Sequence, residues 1–480
     1  MLKKLEIHGW KQFEKISIDF DKRVTLITGA NGAGKSTIFR MIANDMGWSY
    51  TETSNPVKDK KNSSPFYTGI SDNSQIKRNK NHLINFTDEQ RKELLNLGYL
   101  HRDIDEVNDP YAYLSNGYFE IGNLISEDGN FTYFVPEFVD DGAYYFHTKF
   151  EPSEFIDAKE NQLSELSTDY LEAYISYIRQ IGREIIGLSI PSHRSPYTYE
   201  KIDSIPIHAP QTTELIKDYF ESVKNRTLNN TYANDHSPIL TMKKSIVSLA
   251  LFSEDNTYVK GNPEFKIMID EFNEVLMNVL PKHLQFEGLL IVSGEVVMST
   301  KAGDFLIDAA SGGIGALIDI AWQIFVIDFE YENYVVVIDE LENHLHPSMQ
   351  REILPNLLNA FPRAQFVVST HSPFIVNSII EGKVYALTFN SQGKVNSELL
   401  NFDNKSADAF EILKDVLGVS VTMPIWMEKE FNNTINEIST TKPSELNVED
   451  YEKMKLILEE KGLLTQFPQL LKMLMEKNND

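Results

Sequence analysis

The chain has 480 residues, with 45 Lys and Arg against 70 Asp and Glu, a formal net charge of −25. At 42% apolar and 24% charged residues its composition is that of a globular protein, not a disordered or collagen-like one. It contains no cysteine, which excludes disulfides, Cys-ligated zinc, iron–sulfur clusters and thiol catalysis, and the acidic balance counts against bulk attraction to nucleic acid.

In chain order, Leu5-Glu6-Ile7-His8 and Ile16-Ser17-Ile18-Asp19-Phe20 alternate with period two, which predicts half-buried antiparallel strands. Met1 to Phe20 holds no apolar signal-peptide core, and no uninterrupted apolar run approaches the ~18 residues of a membrane span, so a cytoplasmic protein is expected. The denser apolar run Arg23 to Thr28 predicts a buried strand. It leads into Gly29-Ala30-Asn31-Gly32-Ala33-Gly34-Lys35-Ser36-Thr37 and then helix-compatible sequence through Ala43. Between residues 54 and 82 Ser, Asn and Lys dominate, which reads as a solvated insertion, with contact to a phosphate backbone as the alternative.

Residues 111–150 are rich in Tyr and Phe with strand-like alternation, and 160–183 have a helical period. A strand over Ile185 to Ile190 ends at Pro191-Ser192-His193-Arg194. Helices are expected over most of 212–285, a β-hairpin over 286–308, alternating helix and strand from 311, and helices after 400.

The P-loop pattern Gly29-x4-Gly34-Lys35-Ser36 sits between strand and helix, the context its chemistry needs. Its glycines let backbone N–H groups turn toward phosphate oxygens, and the helix adds the positive end of its dipole. Lys35 would reach the β- and γ-phosphates of ATP, and the Ser36 hydroxyl would ligate Mg²⁺. Tyr334 to Ile338 is an apolar strand that delivers Asp339, for the metal, and Glu340, as general base or water-orienting group. Val367 to Thr370 brings up His371, placed to sense or polarise the γ-phosphate. Ala310-Ser311-Gly312-Gly313-Ile314-Gly315 opens a helix and reads as a second anion cradle or as a plain N-cap turn. A second cradle has a purpose if it closes on a nucleotide bound by another subunit. His344 and His346, two apart, suit a subunit-contact loop better than a metal site.

In this order the motifs resemble the ABC-type ATPase heads of the SMC, RecF and OLD group. Lys35 and Asp339 lie 304 residues apart, as in a head with a large insertion. The stretch from Asp339 to Pro373 is similar to bacterial antiphage ATPases of the PtuA type, from Septu and retron-associated systems, with the PARIS ATPase AriA and OLD proteins as neighbours. The resemblance implies an α/β P-loop NTPase with an antiparallel β lobe, a helical insertion lobe and a helical C-terminal cap. Its expected divisions are 1–200, 201–285, 286–400 and 401–480. It further implies that Ser311, Gly312 and Gly313 touch the γ-phosphate of a partner's ATP, that Asn343 and His344 lie in a D-loop at that interface, and that Lys11 is a basic residue near the nucleotide. Two departures are Ala310 before the signature, where transporters carry Leu, and Ile314 after it, where they carry Gln.

The activity implied is ATP hydrolysis with Mg²⁺, in a homodimer or an oligomer of dimers that switches a separate effector nuclease. The residues after Pro373 show no Toprim pattern, so the chain is expected to lack a nuclease of its own, and the resemblance to PtuA-type proteins implies a separate HNH nuclease as the favoured partner. A retron association would add a reverse transcriptase with its non-coding RNA and DNA. The alternative is a RecF- or SMC-like repair or chromosome-maintenance ATPase that binds DNA directly.

Overall fold

Alternation at the start of the chain forms β1 (Leu2–His8) and β2 (Phe13–Asp19), which pair antiparallel with Leu5 opposite Ile18 and Ile7 opposite Ile16. All four of those apolar side chains are buried. The computed structural model describes residues 1–48, 118–136, 185–194, 199–204 and 237–400 apart from 256 and 259, with short pieces between 50 and 68, between 143 and 152, and at 455, 456 and 459. Contacts divide the chain into two units, Met1–Ala409 and Phe410–Asp480. The helices expected over 160–183 and after 400, and most of the 54–82 segment, lie outside the described residues.

After β2 come β3 (Val24–Gly29), helix α1 (Lys35–Asn44) and the short strands β4 (Glu52–Thr53), β5 (Asn55–Val57) and β6 (Phe66–Thr68). Then follow β7 (Tyr118–Ser126), β8 (Gly129–Pro136), β9 (Ala143–Tyr144), β10 (His147–Pro152) and β11 (Gly187–Ile190). Helices α2 (Pro238–Leu251) and α3 (Pro263–Val279) precede the small sheet of β12 (Phe286–Val292), β13 (Glu295–Thr300) and β14 (Phe305–Leu306). The chain continues through α4 (Gly312–Glu330), β15 (Tyr334–Ile338), β16 (Ala364–Ser369), β17 (Lys383–Phe389) and β18 (Val395–Leu399). The expected hairpin over 286–308 is β12–β13, with β14 as a third strand.

One sheet of eleven strands runs β10-β8-β7-β1-β2-β18-β17-β3-β16-β15-β11. The antiparallel lobe shares this sheet with the parallel half; β18 joins the two by pairing with β2 on one side and β17 on the other. In the parallel half β3, β15 and β16 are buried at every position, as strands covered on both faces must be. The Arg23 guanidinium fixes one edge of this core, donating to the carbonyls of Leu358 and Pro362 at 2.7 Å each and also to that of Ala364. It thereby ties the start of β3 to the start of β16.

Helix α4 is long and apolar enough, by composition, to span a membrane, but 72% of the stretch is buried inside the domain. Trp322 packs edge-on against Phe272 of α3, with ring centroids 4.9 Å apart, and Phe325 lies 5.2 Å from the same ring. Such aromatic pairs add ~0.5–1.5 kcal/mol beyond the area they bury, so α4 is a core helix.

Candidate nucleotide site

Four adjacent parallel strands, β3-β16-β15-β11, run in register and end on the same side. Crevices at the carboxyl ends of such strands are where α/β sheets bind ligands. β3 delivers Gly29 to Lys35, β16 delivers Ser369 to His371, β15 delivers Asp339 and Glu340, and β11 delivers Ser192 to Arg194.

In the P-loop Gly34 is the N-cap of α1, in left-handed backbone at φ 94. A Cβ there would collide with the Gln12 amide and the Phe13 ring. Gly32, at φ 81, faces open space where a side chain would sit, and Asn31 is exposed while Ala33 is buried. The first-turn N–H groups of α1, those of Lys35, Ser36 and Thr37 among them, have no carbonyl partner within the helix, which makes this end an anion cradle. Lys35 is only 5% exposed, and its Nζ donates to the carbonyls of Gly29 at 3.1 Å and Ala30 at 3.2 Å. Burial lowers its pKa, opposed by the charges of Asp339, Glu340 and Glu342. The ammonium is thus held over the loop with three carboxylates in its field.

Asp339 is 7% exposed, and its Oδ1 accepts the Ser369 hydroxyl proton at 2.5 Å. The same Ser369 Oγ accepts the Glu340 N–H at 2.7 Å. Glu340 has left-handed backbone, φ 50, which costs a non-glycine residue ~1–3 kcal/mol. Three contacts offset that strain. They are the Ser369 bond, the Arg194 Nη2 donation to the Glu340 carbonyl at 3.1 Å, and the Asn343 Nδ2 donation to Glu340 Oε2 at 2.7 Å. Arg194 also donates to the Asn343 carbonyl at 3.1 Å, and Asn343 to the Ser192 carbonyl at 3.0 Å.

His371 Nε2 lies 3.9 Å from Glu340 Oε1. Burial lowers its pKa from 6.5, and Lys35 adds to the effect against the pull of Glu342, Glu340 and Asp339, which favours the neutral ring. Its backbone N–H donates to Glu342 Oε1 at 2.5 Å, while Thr370 Oγ1 donates to Glu342 Oε2 at 2.8 Å. Glu342, Ser369 and the hydrogen bonds of Arg194 were not singled out by sequence reasoning. Their partners lie between 28 and 149 residues away, and only the strand order reveals them.

No group of three His, Asp or Glu residues fit to hold a metal alone occurs among the described residues. Mg²⁺ takes one or two protein ligands and keeps phosphate oxygens and waters for the rest. Ser36, in the first turn of α1, and Asp339, oriented by Ser369, supply a hydroxyl and a carboxylate of the right kind. Bound Mg²⁺ would neutralise charge on the β- and γ-phosphate oxygens.

The signature turn is less enclosed than this constellation. Ser311 is the N-cap of α4 but makes no side-chain capping hydrogen bond, and Ser311 and Gly312 are exposed. Gly313 packs against the D-loop of its own chain, where a Cβ would come within 3.0 Å of the His344 carbonyl. His344 itself has left-handed backbone at φ 68. Among the described residues no hydrogen bond joins Ser311–Gly313 to the P-loop. His346 caps the short helix Pro347–Gln350 through its own ring nitrogen. The Lys11 ammonium lies 4.8 Å over the Trp10 ring, and the neighbours that touch the P-loop are Gln12 and Phe13.

A P-loop, an acidic strand end and a strand-end histidine on adjacent parallel strands define a P-loop ATPase domain. The sequence profile of the AAA ATPase domain family matches residues 1–376, and the chain belongs to that family.

The Septu protein PtuA of Bacillus thuringiensis is 26% identical over 223 residues, 43% of this chain and 54% of that protein. The chain therefore matches about half the length of that relative. The Retron Vc95 probable ATPase of Vibrio cholerae serotype O1 biovar El Tor is 20% identical over 446 residues, 86% of this chain and 79% of that protein. Among solved structures, the SmcHead bound to the C-winged helix domain of ScpA matches over 84% of this chain and 98% of its own, at a TM-score of 0.40 and 14% identity.

Proposed function

We propose that the protein is the ATP-hydrolysing component of an antiphage defence system, a dimeric switch that governs a separate effector nuclease in the cytoplasm. The observation that carries the switch is that, among the described residues, no hydrogen bond joins the two halves of the site. Lys35, Asp339, Glu340 and His371 converge on one cradle, while Ser311 and Gly312 are exposed and not bonded to it. A second protomer that offers its Ser311–Gly313 turn would complete the cradle only when a γ-phosphate is present to receive it. Glu340, held by Asn343, takes the proton of the attacking water, and Lys35 together with the first-turn N–H groups of α1 stabilises the charge that develops. Loss of the γ-phosphate removes the ligand of the signature turn and releases the pair. The relatives named PtuA and retron ATPase support the defence assignment, and an HNH nuclease encoded beside this chain is the partner of choice.

Sedimentation of Glu340→Gln with ATP and Mg²⁺ tests the switch. A stable dimer with ATP but not with ADP, together with phosphate release slowed at least ~100-fold, is expected. Turnover at the parent rate, or a monomer at saturating ATP, would overturn it. A change in DNA cleavage by the neighbouring nuclease between ATP-bound and ADP-bound protein tests the effector assignment, which an indifferent nuclease would refute.

A further inference from the structure

A buried ion cluster lies outside the catalytic carboxylates. Lys243 on α2 is 0% exposed, and its Nζ sits 2.5 Å from Asp308 Oδ2 and 3.1 Å from Glu295 Oε2. It also donates to the Glu200 carbonyl at 2.7 Å. The Tyr199 ring covers the same ammonium, 5.3 Å from centroid to Nζ, while the Tyr199 hydroxyl donates to Glu295 Oε1 at 3.1 Å. Lys243 and Asp308 are buried and Glu295 is partly so; buried ionic groups stabilise a fold no better than apolar residues of the same shape, though they are directional where apolar contacts are not. The direction of this cluster is informative. Asp308 lies in the 3-10 turn Ile307–Ala309, so only Ala309 and Ala310 separate its pinned carboxylate from Ser311.

The signature turn therefore has two anchors. One is Gly313 against the His344 carbonyl, and the other is Asp308 against Lys243. Both lead back to the chain that leaves β11. Arg194 bonds the D-loop and Glu340 carbonyls, and Glu200, six residues on, bonds Lys243. We infer that Lys243 is a positioning residue that sets the Ser311–Gly313 turn for the nucleotide of a second protomer. The inference rests on the trans reading of that turn given above. Without the ammonium the turn would still exist, but its approach to a partner's γ-phosphate would no longer be fixed, and affinity between protomers would fall while each P-loop kept its own nucleotide.

The experiment compares ATP affinity, by titration with a fluorescent ATP analogue, with ATP-driven dimerisation, by sedimentation in the Glu340→Gln background. Lys243→Met alone strands the Asp308 and Glu295 carboxylates, so the informative variants are Asp308→Asn and the uncharged triple Lys243→Met/Glu295→Gln/Asp308→Asn. Both are expected to keep nucleotide affinity within about twofold and a cooperative melting transition, lowered in Asp308→Asn, which leaves the Lys243 ammonium to Glu295, and to weaken the dimer at least ~10-fold. Parent-like dimerisation by either folded variant would overturn the inference. Ser311→Arg separates the two claims. If Ser311→Arg dimerises normally, the trans reading itself fails; if it alone abolishes the dimer, only the role of Lys243 fails.

Discussion

Asn343 Nδ2 stands 2.7 Å from Glu340 Oε2, three residues back in the chain, and the same amide group reaches the Ser192 carbonyl at 3.0 Å. The Glu340 carboxylate, the proposed general base, is therefore oriented by Asn343, which is itself fixed to the end of β11. A hydrogen bond to a charged group contributes ~1.5–3 kcal/mol. Asn343→Ala should lower turnover about 10- to 100-fold with ATP affinity unchanged, as read by phosphate release and nucleotide titration. A rise in KM with unchanged kcat would place Asn343 in binding instead.

Lys35 is surrounded by Asp339, Glu340 and Glu342, and without its ammonium the polyphosphate would face those charges uncompensated. Lys35→Ala should cut ATP affinity ~100-fold or more. Unchanged affinity in a titration would sink the P-loop assignment.

His371 gives a pH signature. Its folded pKa lies below the ordinary 6.5, chiefly through burial. The stability contributed by the neutral ring is thus fully present above 6.5 and is lost as pH falls through the depressed folded value. Protonation would also turn the 3.9 Å approach to Glu340 into an ion pair and engage the carboxylate. ATPase activity should hold from pH 7 to 8 and fall on the acid side of 6.5, and His371→Gln should flatten that limb. An identical acid limb in the variant would assign the titration to another group.

Arg194 spans two carbonyls, those of Glu340 and Asn343, with its two terminal nitrogens. Arg194→Lys replaces a planar fork with a point charge and should not restore what Arg194→Met loses. Both variants are expected to lose stability on the order of 3 kcal/mol and to slow turnover, read by thermal melting and phosphate release. Full activity in Arg194→Lys would show that charge alone suffices.

With a net charge of −25, the chain should bind duplex DNA weakly at physiological salt. Tight binding that weakens steeply as salt is raised would instead favour a RecF-like role.

The P-loop, the acidic strand end and the strand-end histidine were legible because each is a local pattern of apolar run, turn and helix, and three adjacent strands place them side by side. Two features were not legible. The span β17–β18 carries no motif, yet it joins the halves of the sheet, since its pairing with β2 and β3 is set by partners more than 350 residues away. Ser369 and Glu342 lie inside motifs that sequence reasoning did single out, but their hydrogen bonds run between loops, and residue identity does not announce such a bond. Beside Lys11, the positions Gln12 and Phe13 pack where a Cβ on Gly34 would sit.

The placement of β3 has a consequence during synthesis. Both of its sheet neighbours, β16 and β17, come from residues 364–389. A ribosome adding ~5–20 residues per second leaves Val24, Leu26 and Ile27 without their partners for about 20–70 s. The nascent chain thus carries an unpaired apolar strand, open to aggregation, next to an unfinished P-loop, which no nucleotide can stabilise until most of the first unit has been made.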